Sequence, residues 1–152
     1  MRTSIAALAV IRRWCEGRPQ WLVQWNQAWQ CLALIGGHKH ADESFRDCVV
    51  REAAEELHLV PGADFCAAAK PLARLEYTAW SARAQADTAY TVEMFDVELH
   101  HIAAERQVSA DPCNRWITSE EVLSGRTTEG QSLSESLRRF LPYLVTDEAS
   151  SR

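Results

Sequence analysis

The first third of the chain alternates short apolar runs with polar breaks. Ser4 to Arg13 (SIAALAVIRR) is nearly all apolar and predicts a buried strand. Gly17, Arg18 and Pro19 mark a turn, and Trp21 to Trp25 (WLVQW) completes a hairpin. Asn26 to Ala28 interrupts the pattern, and Trp29 to Ile35 (WQCLALI) predicts a third extended stretch that delivers the chain to Gly36-Gly37. The period then changes. Val49, Val50, Ala53 and Leu57 recur at helical spacing, behind candidate N-caps at Asp42 and Ser44, and Val60-Pro61-Gly62 ends the helix.

Strand patterns return at Phe65 to Ala69, Ala73 to Ala82 and Tyr90 to Leu99, the last two joined across Arg83 to Thr88. His100 to Cys113 is polar and predicts a loop, and Arg115-Trp116-Ile117 a short final strand. Thr118 and Glu121 have capping-box spacing for a short helix ending at Gly125. A last helix from Ser132 to Leu144 carries a stripe of Leu133, Leu137, Phe140, Leu141 and Leu144. Thr146 to Arg152 reads as a frayed tail. Such an order suits one α/β domain over residues 1–145, a mixed sheet covered by helices on both faces.

Composition narrows the function classes. A net charge of −5 with no Lys/Arg run argues against a nucleic-acid polymer as partner, because such binding rests on neutralising phosphates. It leaves a free nucleotide open. The apolar run Ile5 to Ile11 is too short to span a membrane, and no leader is evident. Five cysteines without zinc or redox-pair spacing predict reduced thiols in the cytoplasm. Four tryptophans (Trp14, Trp21, Trp25 and Trp29) read first as hydrophobic bulk or a homodimer interface, with base stacking as the alternative.

The chemistry gathers between Gly36 and Leu59. Glu52, Glu55 and Glu56 share an arc of roughly 100° on a helix, where three carboxylates repel. A hard divalent cation such as Mg²⁺ or Mn²⁺ would relieve them. A solvated acidic helix, with Arg51 paired to Glu55, would explain the helix alone. It would not explain the glycine pair and Glu43 standing at fixed distances in front of it.

That whole register resembles the Nudix box of the Nudix hydrolases: Gly37, Glu43, Arg51-Glu52, Ala53, Glu55-Glu56 and Leu59, with His58 where the pattern has Gly. A glycine there fits a helix-ending residue with positive φ, a conformation that His tolerates at a cost. The resemblance implies an α/β/α sandwich and metal-dependent cleavage of a pyrophosphate bond in a nucleoside diphosphate linked to another group. It implies Glu52, Glu55, Glu56 and the Gly37 carbonyl as metal ligands, with Arg51 orienting a carboxylate and Glu43 anchoring Arg51. The base that takes the water proton is Glu52, Glu56 or a loop acid, for which Asp111 and then Glu105 are the candidates. Lys39 is a candidate phosphate contact. Tyr77 lies at a distance associated in the family with dinucleoside polyphosphates, though strand packing explains it more simply. Nucleoside triphosphates, dinucleoside polyphosphates and nucleotide sugars all remain open as substrates. The alternative from another class is a Nudix-fold domain that senses a nucleotide without cleaving it.

Overall fold

The computed structural model describes residues 1–140 and residue 144. Seven strands form one mixed sheet: β1 (Arg2–Cys15), β2 (Arg18–Asn26), β3 (Cys31–His38), β4 (Phe65–Ala67), β5 (Ala73–Ser81), β6 (Ala86–Leu99) and β7 (Asn114–Ile117). Helices α1 (Phe45–Leu57), α2 (Ile102–Ala110) and α3 (Ser119–Ser124) accompany it, and residues 135–140 are also helical. The order is β4-β6-β1-β3-β2-β7, with β5 on β6. β1 runs parallel to β6, from Arg2 opposite Thr88 to Ile11 opposite Val97. Its other edge serves two partners: Ala6 to Ala9 pair with β3, and Arg12 to Cys15 pair with β2.

Strand alternation sends successive side chains to opposite faces. Ala7, Ala9 and Ile11 pack with Cys48, Val49 and Ala53 of α1 and Val108 of α2. Val10 faces the other way, with Val92, Met94, Val122 and Leu137. A fully buried Leu, Ile or Phe contributes about 1.5–3 kcal/mol. An exposed ion pair contributes below about 1 kcal/mol. The two apolar layers therefore hold the sandwich, and the surface pairs decorate it.

Beyond shifts of up to three residues at the ends of β1 to β4, which place Gly36 and Gly37 inside β3, three elements differ from the expectation. Residues 100–113 are not a loop, because α2 occupies Ile102–Ala110. Its polar residues face solvent, while Ala104 and Val108 are buried, and the His101 ring accepts the Ala104 N–H at 3.1 Å. The β5–β6 turn is shorter than Arg83 to Thr88, since β6 already begins at Ala86. The last helix starts three residues late, at 135. Ser132 and Leu133 are held as bridges to Arg126 and Leu32, and Ser134 accepts the Leu137 N–H at 3.1 Å. Leu141 and the predicted tail from Thr146 lie outside the described residues.

His58 caps α1 in the left-handed region, at φ 57° and ψ 40°. That conformation costs a residue with a Cβ roughly 1–2 kcal/mol. His58→Gly is therefore expected to raise stability by about 1 kcal/mol, less the larger chain entropy of glycine. Urea denaturation of both proteins measures it, and no gain would mean that the exposed imidazole supplies a compensating contact.

A second expectation concerns acid. Arg115 donates to both Glu121 oxygens, at 3.1 and 2.8 Å, and to both of Glu129, each at 2.9 Å. Burial works against the charge on Glu121, but Arg115 and the N–H groups of Thr118 and Thr128 outweigh it and hold its pKa low. Arg115 draws Glu129 down to about 2. A depressed folded-state pKa gives stability that is present above the ordinary carboxylate range and lost as pH falls through the folded value. Melting temperature should fall as pH drops from about 4.5 toward 2. Glu129→Gln should flatten that fall, and an unchanged slope would remove this cluster as its source.

Candidate active site

The sequence builds this site at the junction of β3 and α1. Ser44 caps the helix by accepting the Asp47 N–H at 3.0 Å. Cys48, Val49, Ala53 and Leu57 then face the sheet, which turns Arg51, Glu52 and Glu56 toward the glycine pair ending β3. At Gly36 a Cβ would run into the carbonyl oxygen of Ala7 and lie 2.9 Å from the Leu8 Cα. At Gly37 a Cβ would lie 2.6 Å from Glu52 Oε1 and 2.7 Å from its Cδ. The Glu52 carboxylate thus sits directly over the Gly37 backbone.

Arg51 is the hub. Its Nη2 and Nε donate to the two Glu43 oxygens at 2.8 and 3.1 Å, its Nη1 donates to Glu52 Oε1 at 3.0 Å, and Nη2 also reaches the His38 carbonyl at 3.1 Å. The paired fork is the strong geometry for Arg and carboxylate. The Arg51 bonds and the His40 N–H, 2.8 Å from Glu43 Oε1, draw Glu43 down to about 2. Glu43 therefore ties the loop after β3 to the helix.

Glu56 is in the opposite condition. It accepts the Gly36 N–H at 3.2 Å, yet burial first, and the neighbouring Glu52 charge second, push its pKa up to about 7. Burial likewise raises Cys48 to about 11, so its neutral thiol donates to the Gly37 carbonyl, 3.6 Å away. Glu55 stands apart: its side chain is 62% exposed and lies 3.6 Å from Arg51.

This donor set fits a hard cation. All of its members are oxygens, and two like charges share a desolvated position that a cation would neutralise. Among the described residues no three acidic, histidine or cysteine side chains are yet gathered at ligand spacing. Glu55 would have to turn from Arg51 to join Glu52 and Glu56.

A cleft opens from Gly36, Gly37 and Glu56 across the sheet face. Small residues (Ser4, Ala6 and the glycines) and aromatic ones are among its lining. Tyr77 and Tyr90, opposed in the β5–β6 ladder, stack with centroids 5.1 Å apart, and Arg139 lies 4.2 Å from the Tyr77 ring centroid. Trp25 and Trp29 line the same cleft, although the sequence favoured them as bulk. Tyr90, Arg2 and Arg83 carried no sequence signal, and only the hairpin register could have brought Tyr90 to notice. Lys39 donates to the His40 carbonyl at 3.1 Å and borders an adjoining groove. Glu105 lies in α2 rather than a loop and pairs with Arg13 at 3.4 Å. Asp111 caps the end of α2 and accepts the Cys113 N–H at 2.9 Å.

Comparison with known proteins places this geometry in context. A sequence model of the NUDIX domain matches residues 3–140. No curated protein sequence matches. Among solved structures, Shewanella oneidensis NrtR is similar at TM-score 0.65 and 17% identity, over 91% of this chain and 60% of that one. This chain thus spans three fifths of NrtR. The NUDIX domain of NrtR, solved with ADP ribose, gives 0.66 and 16%, over 97% and 89%. RenU, a Nudix hydrolase from M. smegmatis, gives 0.56 and 18%, over 97% and 86%. A C. elegans Ap4A hydrolase in a binary complex gives 0.63 and 12%, over 97% and 98%. At these identities the likeness is one of fold.

Proposed function

The chain belongs to the Nudix family, and from that premise we propose that it is a divalent-metal-dependent hydrolase of a pyrophosphate bond in a nucleoside diphosphate derivative. The observation that carries this reading is the pairing of Glu52 and Glu56 over Gly36-Gly37 at the mouth of an aromatic cleft. A plain surface helix would not bury a carboxylate until its pKa reached about 7.

Glu52, Glu55, Glu56 and the Gly37 carbonyl would hold Mg²⁺ or Mn²⁺, which would supply charge neutralisation at the phosphates and a lowered pKa for water. The chain's own residues do the rest. Arg51 fixes the Glu52 carboxylate, and Glu43 fixes Arg51, so the position is set before substrate arrives. Glu56 is the favoured acceptor of the water proton, because it faces the cleft and Arg51 does not claim it. Glu105 is engaged with Arg13, and Asp111 is the remaining alternative. Tyr77, Tyr90, Trp25 and Trp29 would clasp the base, since aromatic faces accept any ring. The five cysteines are free, as a reducing compartment such as the cytoplasm would keep them.

The test is product release from nucleoside triphosphates, dinucleoside polyphosphates, ADP-ribose and nucleotide sugars with Mg²⁺ or Mn²⁺, run beside Glu55→Gln/Glu56→Gln. Metal-dependent cleavage lost in the double variant is expected. One observation favours the sensing alternative: NrtR was solved both with ADP ribose and with a 27mer DNA. Tight nucleotide binding without product from any compound would select that reading.

A further inference from the structure

The cleft shares Arg2, Ser4, His38 and Arg83 with an adjoining groove that Lys39 also lines. Its cations come from three separate segments. Arg2 opens β1, and its strand position lies opposite Thr88. Lys39 follows β3, where its N–H donates to the Ile5 carbonyl at 2.8 Å. Arg83 rides the turn closed by the Ser81–Ala86 pair. Arg2, His38 and Arg83 line both the aromatic slot and this groove, so the two are continuous, and Gly37 and Glu56 belong to the same slot.

These cations differ from six arginines elsewhere in the chain. Arg12, Arg13, Arg18, Arg51, Arg74 and Arg115 are each committed to a carboxylate. Among the described residues, Arg2 and Arg83 have no ion-pair partner, and the Lys39 ammonium reaches only a backbone carbonyl and the Phe45 ring. In a protein of net charge −5, three uncommitted cations in one groove form a local positive field that a phosphate would neutralise.

We propose that Arg2, Lys39 and Arg83 form an anion subsite for a phosphate beyond the scissile pyrophosphate, which makes the substrate a nucleotide with three or more phosphates in a chain. This rests on the hydrolase reading and deepens it. The acidic box would serve the pyrophosphate being cut, the aromatic slot takes the base, and the groove takes the next phosphate along. A sugar in that position would leave the three cations unanswered. Nucleoside triphosphates and dinucleoside polyphosphates share the required chemistry.

The experiment compares wild type with Arg2→Gln/Arg83→Gln, both of them exposed positions whose exchange leaves the folded core untouched. Kinetics are measured on a nucleoside triphosphate, a dinucleoside tetraphosphate and ADP-ribose. Binding of inorganic tripolyphosphate is measured by calorimetry in metal-free buffer. The double variant should lose about ten- to a hundredfold in kcat/KM on the first two substrates, carried by KM, and at least about fivefold less on ADP-ribose, which shares the slot but brings no third phosphate. Tripolyphosphate binding should weaken in parallel, and the larger of the two kinetic losses identifies the source of the phosphate chain. Equal losses on all three substrates, a wild-type preference for ADP-ribose, or unchanged tripolyphosphate binding would overturn the subsite. Tripolyphosphate binding that depends on Arg2 and Arg83, in a protein that cleaves nothing, would keep the subsite and reject the hydrolase.

Discussion

Glu56→Gln should lower turnover by about 10²–10⁴-fold, the usual effect of removing a positioned general base. The protein should remain folded. The amide keeps an acceptor for the Gly36 N–H, 3.2 Å from Glu56 Oε2. It also removes a carboxylate whose ionisation burial already opposes, having moved its pKa up to about 7. The melting temperature is therefore expected to hold or rise as activity collapses. That opposition would mark a residue kept for chemistry at a cost in stability. Glu55→Gln provides the comparison, because its exposed side chain can change without strain in the fold. Full activity in folded Glu56→Gln would move the base elsewhere, with Asp111 next to be tested.

The adjacent glycines should respond differently to the same methyl group. Gly36→Ala would drive a Cβ against the backbone of Ala7 and Leu8, in the ladder joining β1 to β3. Backbone cannot step aside cheaply, so a loss of about 1–3 kcal/mol is expected, with a lower melting temperature. Gly37→Ala meets instead the far end of the Glu52 side chain, at 2.6 Å. That end can rotate, so the fold should survive while Glu52 leaves the position Arg51 holds for it. Activity should fall at least tenfold, since displacing a fixed group by an ångström can cost about 10². Thermal melts and single-turnover rates on both variants separate the two effects. A Gly37→Ala protein with wild-type rates would show that Glu52 does not act from above that glycine.

The candidate site could be read along the chain because its parts are local. Ser44, Arg51 and the glutamates sit on one helix, where a period of 3.6 sets their relation before any packing occurs. The positive φ at His58 was legible for the same reason, since a helix end imposes its own geometry. The α2 segment was misread because its signal is two small buried residues, Ala104 and Val108, in a polar stretch, and because the cap that starts it is a histidine. The start of the last helix was misplaced because Ser132 and Leu133 bridge to Arg126 and Leu32, the latter a hundred residues away in sequence.

The order of the strands, the acidic helix and the glycine pair could be read from the sequence, α2 excepted, because each depends on neighbours within a turn or two. Tertiary structure alone decided what stands around them. It opposed Tyr90 to Tyr77 through the β5–β6 register, brought Trp25 and Trp29 to the cleft, and gathered Arg2, Lys39 and Arg83 from three segments. It also divided the glutamates, leaving Glu55 in water and half-burying Glu56 beside Glu52. Burial and charge proximity depend on the whole packed chain, and no spacing along the sequence encodes them.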